Sequence, residues 1–162
     1  AGRAVTISPH TRRMIWEDIV NQAKILIVDD EQVNVRLLQR MLEQAGYRNV
    51  IGTTDPLSVA SMYREIEPDL IILDLMMPAM DGFGVMEALQ SLVGPRSYVP
   101  ILVLTADTKN ESRLRALLTG AKDFLNKPVD RMEAMLRVRI LLETRFLFRE
   151  LSAGTPGGWG VD

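Results

Sequence analysis

Two aspartates, Asp29 and Asp30, directly follow the apolar run Lys24-Ile25-Leu26-Ile27-Val28. A second apolar run, Ile71-Ile72-Leu73, ends in Asp74. A third ends in Thr105-Ala106, and a fourth is followed by Lys127-Pro128. Adjacent carboxylates repel, so either a cation holds Asp29 and Asp30 or they point apart into water. Oxygen ligands of this kind suit a hard cation such as Mg2+. Burying several carboxylates is costly unless charge partners satisfy them, and a divalent cation and a lysine are such partners. Three acids, a hydroxyl and a lysine at one place suit phosphoryl transfer. The cationic groups offset charge on the group being transferred, and a carboxylate acts as nucleophile.

These residues share a place only if the apolar runs are strands of one parallel sheet. Residues 24 to 28, 49 to 53, 70 to 73, 99 to 104 and 123 to 125 read as five short strands. Helical patterns alternate with them. Val33, Leu37, Leu38, Met41, Leu42 and Ala45 form a stripe that ends at Gly46, a helix C-cap glycine. Asp55-Pro56 opens the next helix, which runs to about Glu65 and stops before Pro68-Asp69. Pro78 and Gly82 punctuate a loop before a helix from about Phe83 to Leu92, which Gly94-Pro95 ends. A polar helix spans about Asn110 to Thr119 and closes at Gly120, and the last helix opens near Val129. Strands alternating with helices imply an α/β, doubly wound, five-stranded parallel sheet. The strands are apolar throughout, as a sheet covered on both faces requires. In such sheets ligands bind outside the carboxyl ends of the strands, where Asp29, Asp30, Asp74, Thr105 and Lys127 fall.

The chain has 162 residues, 47% of them hydrophobic, which suits one domain with extensions. Lysine plus arginine number 19 and aspartate plus glutamate 21, a formal charge of −2. That balance argues against direct nucleic-acid binding by bulk charge. Without cysteine there is no disulfide framework, thiolate zinc site or thiol nucleophile, which is compatible with a cytoplasmic protein. No apolar run approaches the roughly 18 residues that cross a membrane, and the first residues lack the apolar core of a signal peptide. The chain opens on Ala1 rather than methionine, so a piece of a longer protein is expected.

Residues 1 to 23 read as an N-terminal extension. Ser8-Pro9 starts an amphipathic helix over residues 9 to 22, with Met14, Ile15, Ile19 and Val20 as its apolar positions and Trp16 as an anchor. His10, the sole histidine, has no second histidine near it and is expected at the surface.

Four motifs carry a family resemblance. They are Val28-Asp29-Asp30; Leu73-Asp74-Leu75-Met76-Met77-Pro78-Ala79-Met80-Asp81-Gly82; Leu104-Thr105-Ala106; and Gly120-Ala121-Lys122-Asp123-Phe124-Leu125-Asn126-Lys127-Pro128. In this order and spacing the chain resembles a response regulator receiver domain of two-component signalling, over about residues 24 to 148. The resemblance implies a flavodoxin-like receiver fold over 24–136. It implies that a sensor histidine kinase or phosphotransfer protein phosphorylates Asp74. Asp29, Asp30, Asp74 and the backbone carbonyl of Met76 would hold Mg2+. Lys127 would pair with Asp74 and then with a phosphoryl oxygen, and Ala106 would present its backbone amide to the phosphate. Thr105 and Phe124 would form the switch, and the Lys127-Pro128 bond would be cis. Such a domain catalyses its own aspartyl phosphorylation and dephosphorylation rather than turnover of an external substrate. Met76 and Asp107 would flank the path of the hydrolytic water, and the bulk of Met76 is expected to prolong the phosphoryl lifetime. Asp81 and Gly82 read as turn and cap residues, and thioether sulfur is a poor match for Mg2+.

The last helix runs past a minimal receiver. Residues 137–152 extend it, with Leu136, Ile140, Leu147 and Leu151 near heptad spacing and Glu143 interrupting. Such a stripe either packs on its own domain or pairs with a second subunit as a signalling linker. Leu141-Leu142-Glu143-Thr144-Arg145 resembles linkers of regulators whose outputs are cyclic-di-GMP enzymes, notably HD-GYP phosphodiesterases. Residues 153–162 read as a disordered, glycine-rich tail. Competing readings are a receiver-shaped interaction module with little phosphotransfer and a haloacid-dehalogenase-type phosphatase. The second wants an acid two residues after its nucleophile, where this chain has Met76. A nucleotide-binding protein is disfavoured, because no glycine-rich loop follows the first strand.

Overall fold

The computed structural model describes residues 6–154 except 79, 95, 96 and 108. In chain order the elements are α1 (Pro9–Asn21), β1 (Lys24–Val28), α2 (Gln32–Gln44) and β2 (Asn49–Thr53). A 3-10 turn (Pro56–Ser58) then precedes α3 (Val59–Ile66), β3 (Leu70–Asp74) and α4 (Gly82–Leu92). Next come β4 (Ile101–Thr105), α5 (Asn110–Thr119), β5 (Asp123–Asn126) and α6 (Arg131–Gly154). The strands form one parallel sheet in the order β2-β1-β3-β4-β5. That order reverses direction between β1 and β3, which makes the crevice beyond their carboxyl ends the place for a ligand.

Successive strand residues point to opposite faces of the sheet. Ile25 and Ile27 pack with Leu38 and Leu42 of α2 and Val138 and Leu142 of α6. Leu26 and Val28 pack with Val59 of α3, Met86 and Leu89 of α4 and Ala116 of α5. Helices on both faces account for strands that are apolar along their whole length.

The helix ends follow their sequence signals. Ser8 Oγ accepts from the Thr11 amide at 3.1 Å, with Pro9 in the first turn of α1. Asp55 Oδ1 accepts from Leu57 N–H at 2.9 Å. Gly46 follows α2 at φ 103°, a left-handed conformation that side chains resist.

Two helical stripes differ from expectation. In α2 the buried positions are Val35, Leu38 and Leu42, spaced three and four apart. Val33 and Leu37 lie off that line and face outward, 74% and 54% exposed. In α1, Val20 is buried and Trp16 packs against the core, while Met14, Ile15 and Ile19 are exposed. His10 is exposed, as expected.

Helix α6 runs unbroken through residue 136, with Val138, Leu141 and Leu142 buried beyond it. Phe146 meets Trp16 of α1 edge to face, with ring centroids 6.4 Å apart. Arg145 reaches the start of β3, Nε to Asp69 Oδ1 at 3.2 Å. The opposite side of α6 exposes Leu136, Ile140, Leu147 and Leu151. Of the glycine-rich tail, residues 153 and 154 are helical, and 155 to 162 lie outside the described residues, as do residues 1 to 5 of the N-terminal extension. Among the described residues no helix is long and apolar enough to cross a membrane.

Candidate functional site

Each functional side chain stands where a strand ends. Asp29 follows β1, Asp74 closes β3, Thr105 closes β4 and Lys127 follows β5. Asp29 and Asp74 are buried and Asp30 is half-buried. One carboxylate oxygen from each of Asp29, Asp30 and Asp74 lies within 4.8 Å of the others. Lys127 Nζ lies 3.3 Å from Asp29 Oδ2 and 3.2 Å from Asp74 Oδ2.

Backbone amides orient the acids. Glu31 N–H donates to Asp29 Oδ1 at 3.0 Å, and Met76 N–H donates to Asp74 Oδ1 at 3.2 Å. Gly82 allows the start of α4 to press on the end of β3. A Cβ there would lie 2.7 Å from Leu75 Cα and 2.8 Å from the Asp74 carbonyl oxygen. Asp81 caps the same helix, accepting from Gly84 N–H at 2.9 Å, so it serves the turn rather than the acid cluster.

Burial pushes the Asp74 carboxyl above the usual range and nearby Asp29 adds to the rise, against the Met76 amide and Lys127. Burial pulls Lys127 down, but Asp74 and Asp29 together outweigh it, and its pKa ends above that of an ordinary lysine. The outcome is a charged ammonium beside a carboxylate of enhanced basicity.

The model of the response regulator receiver domain matches residues 25–139. The chain belongs to that family. Response regulator PleD of Caulobacter vibrioides is 39% identical over 136 residues, covering 84% of this chain and 30% of PleD. Transcriptional regulatory protein YvrH of Bacillus subtilis is 35% identical over 134 residues, covering 83% of this chain and 55% of YvrH. The solved structure of the chemotaxis protein CheY4 of Vibrio cholerae matches with a TM-score of 0.65 and 30% identity, over 72% of this chain and 98% of CheY4. This receiver thus spans under a third of PleD and about half of YvrH.

Receiver domains take their phosphoryl group from histidine kinases or phosphotransfer proteins and bind Mg2+ at an acidic pocket. The residues here fit that ion. The donors are all oxygen, and three carboxylates against one ammonium leave two negative charges for a divalent cation to balance.

The receiver's other predicted residues lie around this centre. Met76 is 67% exposed beside Asp74, and the Lys127-Pro128 bond is cis. Thr105 is buried, and its Oγ1 accepts from Asp107 N–H at 3.0 Å within its own loop. Asp107 in turn accepts from Ser112 Oγ at 2.6 Å and Lys109 N–H at 2.8 Å. The Ser112 hydroxyl first, then the Lys109 amide, hold the Asp107 carboxyl below its ordinary pKa. Phe124 is half-buried on β5 under the guanidinium of Arg113, 4.6 Å from the ring centroid. Sequence reasoning passed over Arg113, since no local pattern ties an α5 arginine to a β5 ring.

Proposed function

We propose that Asp74 is the phosphoacceptor of this receiver and that Asp29, Asp30, Asp74 and the Met76 carbonyl hold Mg2+. The observation that carries the reading is the buried Asp74 carboxylate, in reach of both the Lys127 ammonium and the Asp29–Asp30 pair. A deprotonated Asp74 oxygen attacks the phosphorus of a phosphohistidine. The P–N bond breaks, imidazole leaves with the bonding pair, and an acyl phosphate forms on Asp74. Mg2+ supplies charge neutralisation at the phosphoryl oxygens. Lys127 shifts part of its pairing from Asp74 to a phosphoryl oxygen. Thr105 gives up its bond to Asp107 N–H and turns its hydroxyl to the new group, the Ala106 amide approaches it, and Phe124 repacks behind Thr105. The two arrangements pre-exist, and the added charge shifts their populations.

Residues 24–136 then form the switch and residues 137–152 the signalling linker. The exposed Leu136, Ile140 and Leu147 support a homodimer contact along α6. The resemblance of residues 141 to 145 supports a cyclic-di-GMP-related output in the full-length protein. The relatives named as transcriptional regulators support a DNA-binding output as the second reading. A cytoplasmic location follows from the proposed partner, a kinase that draws on ATP.

Borohydride trapping tests the assignment of the acceptor. Reduction of an acyl phosphate converts the aspartate to homoserine, and peptide mapping should find that change at position 74. Homoserine at another acid would reject it.

A further inference from the structure

Arg113 occupies an unusual place. Its guanidinium lies over the Phe124 ring at 4.6 Å and donates through Nη2 to Asn126 Oδ1 at 2.8 Å. Phe124 and Asn126 alternate to the same face of β5, so one side chain grips both. Arg113 Nε is buried and has no hydrogen-bond partner among the described residues. A dry, unpaired N–H is unfavourable, so the contacts with Phe124 and Asn126 hold the side chain there against that penalty.

Both ends of this grip lead to the phosphorylation centre. Arg113 directly follows Ser112, whose hydroxyl bonds Asp107, whose N–H bonds Thr105 Oγ1. At the other end, Asn126 is the register partner of Thr105 and directly precedes Lys127. In this arrangement the Thr105 hydroxyl is committed to its own loop.

We infer that Arg113 is a positioning residue that braces Phe124 and holds the switch in the arrangement where Thr105 serves its loop rather than the phosphoryl group. This rests on the receiver reading above and adds what sets the balance of its switch. Release of the brace frees the ring, relieves the unpaired Nε and favours the arrangement that phosphorylation selects. A residue that stabilises the unswitched state lowers the fraction of the protein in the arrangement that phosphorylation selects, and the level of phosphorylation at a given phosphodonor concentration falls with that fraction.

The test uses the whole chain as wild type, Arg113→Met, Arg113→Lys, Phe124→Leu and the Arg113→Met/Phe124→Leu double variant. One readout needs no phosphodonor: the amide NMR shifts of Thr105 and Asp107. The other is the ratio of phosphorylated to free protein at steady state with Mg2+ and acetyl phosphate. Arg113→Met should move both amides and raise the ratio about fivefold, the low end of ordinary coupling. Arg113→Lys keeps the charge but loses the fork and should fall between. In the Phe124→Leu background Arg113→Met should add nothing. Unmoved amides with an unchanged ratio would overturn the brace, as would an equal effect in the Phe124→Leu background. If wild type takes no phosphoryl group, the phosphoacceptor reading fails. The amide shifts still decide whether Arg113 reaches the Thr105 loop.

Discussion

The Lys127 ammonium lies 3.2 Å from Asp74 Oδ2 at the end of β3, and it shares its charge with Asp29 at 3.3 Å. One ammonium thus serves two buried carboxylates, and Asp74 is left with a raised pKa, chiefly through burial. A carboxyl whose folded pKa lies above its unfolded one binds its proton more tightly when folded. It therefore lowers stability at neutral pH, and that loss is relieved as pH falls through the folded value. Asp74→Asn should stabilise the Mg2+-free protein at pH 7 by on the order of 1 kcal/mol. The advantage should shrink on acidification. Urea denaturation of both proteins between pH 4 and 7 checks the sign, and an advantage that grows on acidification would contradict it.

A second ionic tie sits at the other end of the sheet. Asp69 Oδ2 accepts from Lys24 N–H at 2.9 Å, and Oδ1 faces Arg145 Nε at 3.2 Å and Arg149 Nη1 at 3.4 Å. The Arg145 side chain is 13% exposed and that of Arg149 57%. Asp69→Ala removes the acceptor of the Lys24 amide and leaves the nearly buried Arg145 with only its bond to the Tyr98 carbonyl at 2.8 Å, and it should cost about 3 kcal/mol. Arg149→Ala should cost under about 1 kcal/mol, because solvent screens that pair. Equal losses in urea denaturation would show that the Asp69–Arg145 pair does not anchor α6.

Met76 stands exposed beside the proposed acceptor and donates its amide to Asp74. On the proposed reading, its bulky apolar side chain hinders the hydrolytic water without assisting it. Met76→Asn should therefore speed loss of the phosphoryl group severalfold and leave the fold unchanged. Decay of the phosphorylated mass after removal of phosphodonor reads the rate directly.

Ile140 is 62% exposed on α6, between Leu136 and Leu147. A charge there costs the monomer little, and buried in a dimer it costs much more. Ile140→Glu should leave the melting transition of the dilute protein in place and abolish any dimer detected by light scattering. Dimerisation that persists in the variant would move the contact off this face.

Most of this architecture was legible locally. Each acid of the centre terminates an apolar run, so strand periodicity and the rule for parallel sheets placed Asp29, Asp74, Thr105 and Lys127 together. Gly46, Asp55-Pro56 and Ser8-Pro9 marked helix ends through backbone chemistry that needs no tertiary context. Val33 and Leu37 were misplaced because α2 carries apolar residues at 33, 35, 37, 38, 41, 42 and 45, which fit two overlapping stripes. Only packing against Ile25 and Ile27 selects the stripe through Val35, Leu38 and Leu42. The Asp69–Arg145 tie spans 76 positions and the Arg113–Phe124 stack joins a helix to a strand, so neither leaves a periodic trace. Pro68-Asp69 read as a helix break, which it is, while the anchoring role of its carboxylate depended on a helix far along the chain.

Intact mass after incubation with acetyl phosphate, with and without Mg2+, for wild type and Asp74→Asn, tests the proposed centre most directly. Wild type should gain one phosphoryl group only when Mg2+ is present, and Asp74→Asn should gain none. A gain that survives Asp74→Asn, or that ignores Mg2+, would contradict the assignment of Asp74 and its carboxylate neighbours.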